Sequence, residues 1–175
     1  MTWIFKRCPA CGAYGIEWVG DRFWRCPSCR FEYFHNVAAA AGVIVDSGGG
    51  VLLFERTREP SRGLLALPGG FVDPGERAED AAMRECREEL GWTPPSLSFL
   101  ATFPNRYEWN GVPYSTCDIF FSTRAEGMRV SELRMDETEG RAPVIVPFME
   151  INYARLAFES SRRALRLYTE LQWRI

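Results

Sequence analysis

Hydrophobic residues along this chain fall into short runs that are separated by glycine, proline and polar residues. Residues 37–56 contain two apolar runs on either side of a turn with three glycines, which predicts a buried strand and its return strand. Three further runs are predicted strands: residues 98–103, 114–124 and 144–146. The aromatic and polar segment 104–111 is predicted to be a loop.

Two segments show helical character instead. Residues 78–90 contain good helix formers and acidic residues in the first turn, where the helix dipole favours them. Gly91 is the predicted C-terminal cap, and the prolines at 94–95 prevent continuation. A second, amphipathic helix is predicted from Asn152 onward, packing on the sheet or on a partner subunit. Its apolar positions are Ala157, Ala164, Tyr168 and Leu171.

The N-terminal segment carries two Cys-x-x-Cys pairs with fourteen residues between them: Cys8, Cys11, Cys26 and Cys29. Four thiolates satisfy tetrahedral zinc and leave no open position, so a structural zinc site is expected. Between the pairs, Gly20-Asp21 is flanked by residues 16–19 and 22–25, which predicts a β-hairpin. This module resembles a zinc ribbon, and a ribbon so small needs its metal to fold.

Composition and charge restrict the class of protein. The chain has 175 residues, of which 46% are hydrophobic and 25% are charged, enough for one globular domain with a small appendage. A net charge of −2 gives no global field that would favour nucleic acid or an anionic membrane. No run approaches the ~20 apolar residues of a membrane span. Because four of the six cysteines form pairs suited to metal rather than a secreted disulfide framework, a cytoplasmic setting is expected.

The chemistry is concentrated in the acidic stretch that begins at Gly69. Pro74-Gly75 is a turn signal, and the predicted helix 78–90 follows it. Three carboxylates share one face of that helix because they stand at positions i, i+3 and i+4: Glu85, Glu88 and Glu89. Like charges in this arrangement repel, and a cation would offset the cost. Hard oxygen ligands suit Mg²⁺ or Mn²⁺.

The same stretch resembles the Nudix box. Every fixed position of that family's pattern is matched: Gly70, Glu76, Arg84, Glu85, Glu88, Glu89 and Gly91. Cys86 and Trp92 stand where the family has aliphatic residues, a mild departure because both are apolar. The resemblance implies an α/β fold, an α/β/α sandwich with a mixed sheet between helices. We expect a zinc ribbon over residues 1–35 and a Nudix hydrolase domain over residues 36–175.

The resemblance also implies roles for residues in the box. Members of the family hydrolyse a nucleoside diphosphate linked to another group, by attack of water on phosphorus. By resemblance, the divalent ions are held by the carbonyl of Gly69 and by Glu85, Glu88 and Glu89, and Arg84 orients the glutamates. The base is a box glutamate, Glu88 or Glu89, or one from a later loop. In the acidic segment 135–140, Glu137 is the preferred candidate and Glu139 the second.

Substrate choice is expected to depend on residues outside the box. A ribbon ahead of a Nudix domain is similar to the NADH pyrophosphatase branch of the family, but the Ser-Gln-Pro-Trp run of that branch is absent, and residues 103–107 are Phe-Pro-Asn-Arg-Tyr. NAD(H), ADP-ribose, FAD or a similar nucleotide therefore fits. Arg106, Tyr107 and Trp109 are the candidate substrate-binding residues.

Two other functions remain open from the sequence. One is removal of a nucleotide (NAD-type) cap from RNA, with the basic residues of the ribbon contacting the RNA. The other is a non-catalytic module that senses a nucleotide, although the intact set of box glutamates disfavours it. Relatives in the family are commonly homodimers, and the predicted C-terminal helix could serve as the contact.

Overall fold

The chain folds into two compact units in this computed structural model, which describes residues 5–109 and 111–173. Within these residues, the smaller unit contains residues 5–37 and 111–112, and the larger contains residues 38–109 and 113–173. The domain boundary after residue 35 stays a prediction. Parts of the predicted domain ranges and of the predicted loop, residues 1–4, 110 and 174–175, lie outside the described residues.

The smaller unit is a three-stranded antiparallel sheet. Its strands are β1 (Glu17–Val19), β2 (Phe23–Arg25) and β3 (Glu32–Phe34). The predicted hairpin is confirmed, with Trp18 paired to Trp24 across β1 and β2. Trp24 is fully buried and packs against Trp18 and Phe5, with ring centroids 5.0 and 5.5 Å away. A core this small makes an additional stabilising element such as a metal important.

The larger unit is built on a seven-stranded mixed sheet. Its strands are β4 (Ala38–Asp46), β5 (Gly50–Arg56), β6 (Leu65–Ala66), β7 (Gly69–Phe71), β8 (Ser98–Trp109), β9 (Val112–Arg124) and β10 (Gly140–Pro147). The strand order is β10-β5-β4-β9-β8, with β6 paired to β5 and β7 paired to β4. The long β4–β9 pair is parallel, whereas β10 runs antiparallel to β5.

Two helices cover opposite faces of this sheet, α1 (Ala78–Leu90) and α2 (Glu159–Gln172). Along β4, Val43 and Val45 pack in the cluster that contains Cys86 of α1, whereas Ile44 packs in the cluster that contains Leu165 of α2. This alternation follows from the period of two along a strand. The expected α/β/α sandwich with a mixed sheet is therefore confirmed. No helix in the described residues is long and apolar enough to cross a membrane.

The sheet opens between β4 and β5, and this opening positions the acidic stretch. The two strands pair at Asp46 and Val51, but farther along β4 the partner is β7, with Gly42 opposite Gly69. Gly69 has φ +147°, and a Cβ there would lie 2.1 Å from the carbonyl oxygen of Ala41. Only glycine fits this close approach of two backbones.

The predicted loop at residues 104–111 is wrong for most of its length. Strand β8 continues through Pro104 to Trp109. Proline lacks an N–H and is tolerated in a sheet where no ladder bond is needed, and β8 is the edge strand of the sheet. Sequence patterns do not distinguish an edge strand with a proline from a loop.

The second helix begins later than predicted, at Glu159 instead of Asn152. Asn152 caps a short 3-10 turn, Tyr153–Arg155, by accepting a hydrogen bond from the N–H of Ala154. The N–H of Ala157 then donates to the carbonyl of Leu65, which ties this segment to β6. The backbone bonds that a helix would need are therefore used by the sheet.

Candidate active site

Glu89 is the most enclosed of the three box carboxylates on α1. The residue is 7% exposed, and its Oε2 accepts a hydrogen bond of 2.8 Å from the backbone N–H of Gly69. Burial raises the pKa of Glu89 well above its usual range, because the Gly69 N–H favours the carboxylate less than desolvation disfavours it. The charges of Glu85 and Glu139 raise it further. A cation would compensate this crowding of carboxylates.

Glu85 lies one turn before Glu89 on the same face of α1. Desolvation raises its pKa, although the hydrogen bond from Arg84 acts in the opposite direction. Its carboxylate occupies space that exists because residue 70 is glycine, since a Cβ at Gly70 would lie 2.4 Å from Oε1 of Glu85. The glycine of the box is therefore required by the close approach of backbone and carboxylate.

Arg84 links the box carboxylates through its hydrogen bonds. Its guanidinium donates to Glu76 at 2.9 Å, to Glu85 at 2.7 Å, to Glu88 at 3.1 Å and to the carbonyl of Phe71 at 3.0 Å. The hydrogen bonds to Glu76 are the main reason that the pKa of Arg84 is raised, and that of Glu76 is lowered. Arg84 therefore contacts three box glutamates at once, and its orienting role stays a prediction.

Glu88 differs from the other two carboxylates. Its side chain is 55% exposed and pairs with Arg84 one turn earlier. The sulfurs of the four ribbon cysteines all lie within 4.8 Å of one another. Among the described residues, no such group is formed by carboxylate oxygens of Glu85, Glu88 and Glu89. The protein alone therefore presents Glu85 and Glu89 to the cavity and leaves Glu88 outside its wall.

A cavity of about 610 Å³ is lined by two of these carboxylates, Glu85 and Glu89. All of its lining residues belong to the larger unit. The charged lining residues are Glu85, Glu89, Asp118, Glu139, Arg56 and Arg58. Aromatic rings also line the cavity, and they belong to Phe71, Tyr107, Trp109, Tyr114, Phe120 and Phe158. Acidic, basic and aromatic groups therefore meet in one cavity of ligand-binding size.

The acidic segment before β10 contributes Glu139, and not Glu137, to the described wall of the cavity. Asp136 donates its N–H to the carbonyl of Glu89, which fixes the segment against the end of α1. The carboxylate of Glu139 lies 2.5 Å from the guanidinium of Arg58, and its charge acts on both Glu85 and Glu89. Glu137 is exposed. The geometry thus favours the second candidate of the sequence analysis over the first.

The three residues predicted to bind substrate separate onto two faces of β8. Tyr107 and Trp109 line the cavity, together with Asn105. Arg106 is exposed and is not among the described residues that line it. Successive side chains of a strand point to opposite faces, so a strand that directs residues 105, 107 and 109 inward directs residue 106 outward. The prediction for Arg106 assumed a loop and loses its support with the strand.

The four cysteines of the smaller unit fit a zinc ion. Their sulfurs all lie within 4.8 Å of one another, and the Sγ pairs Cys8–Cys29 and Cys11–Cys26 are each 3.7 Å apart. Tetrahedral Zn–S bonds of about 2.3 Å require sulfurs about 3.8 Å apart, which matches.

The pKa values of these thiols point the same way. The N–H of Cys29 lowers the pKa of Cys26 to about 7. The pKa of Cys29 is raised to about 12, because the neighbouring thiols of Cys11, Cys8 and Cys26 outweigh the lowering effect of the Phe31 N–H. Four thiolates this close together repel one another, and a bound divalent cation would offset the repulsion.

Several cavity residues were not predicted from the sequence. Arg56 and Arg58 end and follow β5, and Phe158 directly precedes α2. Asp118 lies within β9 and is 8% exposed. The available signal for Asp118 was that it is the one acidic residue within the predicted strand 114–124, since a buried charge is more informative than an exposed one.

Comparison with known proteins agrees with the fold and the box. A family model described as "NUDIX domain" matches residues 35–168. The ADP-ribose pyrophosphatase of Methanocaldococcus jannaschii is 41% identical over 71 residues, 41% of this chain and 41% of that protein. The NAD-capped RNA hydrolase NudC of Stutzerimonas stutzeri is 32% identical over 92 residues, 51% of this chain and 33% of that protein. The chain therefore spans less than half the length of these curated relatives.

Solved structures share the fold. A NUDIX hydrolase from Nitrosomonas europaea superposes with a TM-score of 0.69 at 23% identity, over 95% of this chain and 91% of that chain. The NUDIX domain of Shewanella oneidensis NrtR, solved with ADP ribose, gives a TM-score of 0.65 at 19% identity, over 79% of this chain and 90% of that chain. Because the family model covers more than half of the chain, the protein belongs to the NUDIX domain family.

Proposed function

We propose that this NUDIX protein hydrolyses the pyrophosphate bond of a nucleoside diphosphate linked to another moiety, with NAD(H), ADP-ribose or a similar dinucleotide as substrate, and releases a nucleoside monophosphate. The supporting observation is one cavity that combines carboxylates, arginines and aromatic rings. Carboxylates attract divalent cations, guanidinium groups bind phosphates, and aromatic rings stack on bases. Each part of such a substrate complex therefore has a counterpart in the cavity.

Mg²⁺ or Mn²⁺ is the proposed catalytic cofactor, held by the carbonyl of Gly69 and by Glu85, Glu88 and Glu89. The donors are hard oxygens, and two of the carboxylates are enclosed with raised pKa values, so they gain most from a cation. When bound, the metal would neutralise charge on the diphosphate and acidify the attacking water. Arg84 holds Glu85 and Glu88, and the Gly69 N–H orients Glu89.

The arginines of the cavity are proposed to bind the phosphates of the substrate. Arg58 pairs with Glu139 in the free protein. A substrate phosphate would compete for Arg58 and so release the Glu139 carboxylate. Glu139, rather than Glu137, would then accept a proton from the attacking water.

A pair of matched variants tests the base. Glu139→Gln should lose about 10²–10⁴-fold in kcat, the usual contribution of a positioned base, because the amide cannot accept the proton. Glu137→Gln, two residues away and exposed, should stay near wild type. The opposite result would return the role to Glu137. Full activity in both variants would leave a box glutamate as the base.

The proposed reaction is tested with a substrate panel of NADH, NAD, ADP-ribose, FAD and diadenosine polyphosphates, with products identified by chromatography and mass. Release of AMP in the presence of Mg²⁺ or Mn²⁺, and not with a chelator, is the expected result. Tight nucleotide binding without hydrolysis of any diphosphate would instead support a non-catalytic sensing module.

Removal of an NAD-type cap from RNA is the second candidate. It is favoured by three arginines of the smaller unit that lie over aromatic rings: Arg7 over Tyr14, Arg22 over Phe34 and Arg25 over Phe23. Such pairs are suited to single-stranded nucleic acid, and several relatives bear the name NAD-capped RNA hydrolase. Affinity for capped RNA that falls steeply with salt, and exceeds affinity for NAD, would support this candidate.

Three further points belong to the proposal. The cysteine set would hold Zn²⁺ in a structural role, in a ribbon domain over residues 1–35 that precedes the Nudix domain over residues 36–175. The setting would be cytoplasmic, as thiolate metal ligands favour. A homodimer through α2 would appear as twice the chain mass in light scattering.

A further inference from the structure

Asp118, on β9, forms part of the cavity wall. The residue is 8% exposed and lines the cavity together with Thr116, which precedes it by two positions on β9. The hydroxyl of Thr116 donates to its Oδ1 at 2.6 Å, and the hydroxyl of Ser160 donates to its Oδ2 at 2.6 Å. Two elements, β9 and α2, therefore hold this carboxylate in one orientation.

No cation neutralises this carboxylate within the part of the chain that the structure describes. The ion pairs found there all involve other acids. An enclosed charge without a cationic partner lowers stability, so packing alone would favour an apolar residue at this position. Each carboxylate oxygen has about two acceptor positions, and the two hydroxyls fill one on each. One acceptor position on each oxygen therefore remains for a ligand.

Asp46 is a second buried carboxylate, and its hydrogen bonds indicate a structural role. Asp46 is 6% exposed, but its Oδ1 accepts from the N–H of Gly48 and closes the turn after β4. Its Oδ2 accepts from the hydroxyl of Tyr168 and ties α2 to the sheet. Asp46 is not among the described residues that line the cavity, whereas Asp118 is, and the hydrogen bonds described for the Asp118 carboxylate come from hydroxyl groups.

The cavity that Asp118 lines also has aromatic rings in its wall. Phe71 contacts Tyr107 edge to face, with centroids 5.3 Å apart, and Tyr107 lies 5.8 Å from Phe158. The guanidinium of Arg56 lies 4.9 Å from the centre of the Phe158 ring. Aromatic walls bind planar heterocycles by stacking, and a carboxylate at the same wall accepts hydrogen bonds only from donors.

We propose that Asp118 determines base specificity by accepting a hydrogen bond from the exocyclic amino group of a purine. The inference rests on the proposed function and names the class of nucleotide that the site takes. Adenine and guanine each carry an amino donor. Hypoxanthine carries no amino group: it has a carbonyl oxygen at the position of the adenine amino group and a hydrogen at the position of the guanine amino group. The site should therefore prefer aminopurine nucleotides to hypoxanthine nucleotides.

The test is binding of AMP, GMP and IMP to the full chain by calorimetry, without turnover. AMP or GMP should bind about 10- to 100-fold more tightly than IMP, the range expected for a hydrogen bond to a charged group. The preferred nucleotide identifies which amino group is recognised. In Asp118→Asn the preference should fall below about threefold or invert, because the amide can donate to the carbonyl of hypoxanthine.

Asp46→Asn is the matched control, since it changes a buried carboxylate outside the cavity and should keep the preference. Three outcomes would overturn the proposal: a wild-type preference below about threefold, no measurable binding of AMP or GMP, or an Asp118→Asn variant that weakens all three nucleotides equally. The first two need no variant, so misfolding of Asp118→Asn leaves the proposal testable.

Comparing AMP with dAMP tests whether Asp118 contacts the ribose instead, and measuring hydrolysis separates this inference from the proposed function. If Asp118→Asn changes the preference for AMP over dAMP instead, Asp118 contacts the ribose and the proposal is wrong. Hydrolysis of diphosphates without an aminopurine preference would reject this inference alone. An aminopurine preference without any hydrolysis would reject the hydrolase proposal alone.

Discussion

The cysteines of the smaller unit and the glutamates of α1 both offer anionic ligands, but the fold arranges them differently. Four sulfurs converge within 4.8 Å, at spacings that a tetrahedral ion requires. The carboxylates of Glu85 and Glu89 face a cavity, whereas Glu88 is exposed and paired with Arg84. A closed set suits a metal that stabilises a fold. Carboxylate ligands that do not fill every coordination position leave room for substrate and water, which a catalytic metal needs.

The largest expected effect breaks the closed set. Cys26→Ser should abolish zinc binding and unfold the smaller unit, because structural zinc contributes on the order of 10–16 kcal/mol of apparent binding free energy. Zinc content and the fluorescence of the buried Trp24 would report the loss. Cys117→Ser, outside the cysteine set, should retain stoichiometric zinc. A Cys26→Ser protein with full zinc and unchanged fluorescence would contradict the structural assignment.

The second effect breaks the open set. Glu89→Gln should reduce kcat by roughly a thousandfold, because a metal ligand contributes several kcal/mol to charge stabilisation in the transition state. Unlike Cys26→Ser, it should leave the fold intact, as circular dichroism would show. If Glu89→Gln lost its fold as well as its activity, the carboxylate set would be needed for folding, as the cysteine set is, and the contrast between the two sites would be wrong.

A smaller effect tests how closely the backbone fits the carboxylates. Gly70→Ala should displace the Glu85 carboxylate, because the new Cβ would lie 2.4 Å from its Oε1. A misplacement of this size costs about 10- to 100-fold in kcat/KM. Gly49→Ala is the control, since a Cβ there meets nothing within 4 Å. Equal activity of the two variants would show that Glu85 need not keep its position.

The smallest effect concerns stability without divalent metal. Because the pKa of Glu89 is raised in the folded protein, the folded state keeps its proton at pH values where the unfolded chain has released it. Stability should therefore fall as pH rises from the usual glutamate range toward the raised pKa. Glu89→Gln removes this titration and should raise the melting temperature at pH 7 in chelator by about 2–4 °C, on the order of 1 kcal/mol.

Glu88→Gln is the matched control on the same helix, because its side chain is exposed. It should not reproduce the rise in melting temperature. Added Mg²⁺ should stabilise wild type more than Glu89→Gln and so reduce or reverse the difference between them. A Glu89→Gln protein that is less stable than wild type in chelator at every pH would contradict the cost assigned to the buried carboxylate.

Much of the fold and of the box could be predicted because its signals are local. Helix α1 has the predicted bounds, and Gly91 caps it at φ +63° as expected. The hairpin of β1 and β2 and the strands β4 and β5 follow from short apolar runs on either side of turn residues. The second half of the edge strand β8 was missed because Pro104 and the polar residues after it have the composition of a loop, and only their place at the sheet edge permits them in a strand.

By itself, the sequence determined which groups lie close together locally. These groups are the two Cys-x-x-Cys pairs, the carboxylates on one face of α1, and the glycines of the box. Tertiary structure decided which distant groups meet. Strand β10 pairs with β5 so that Gly140 lies opposite Arg56, and this register brings Glu139 rather than Glu137 to the arginines and the box. Periodicity within a strand or helix is set by local backbone geometry. Register between strands far apart in the chain depends on the packing of the whole sheet.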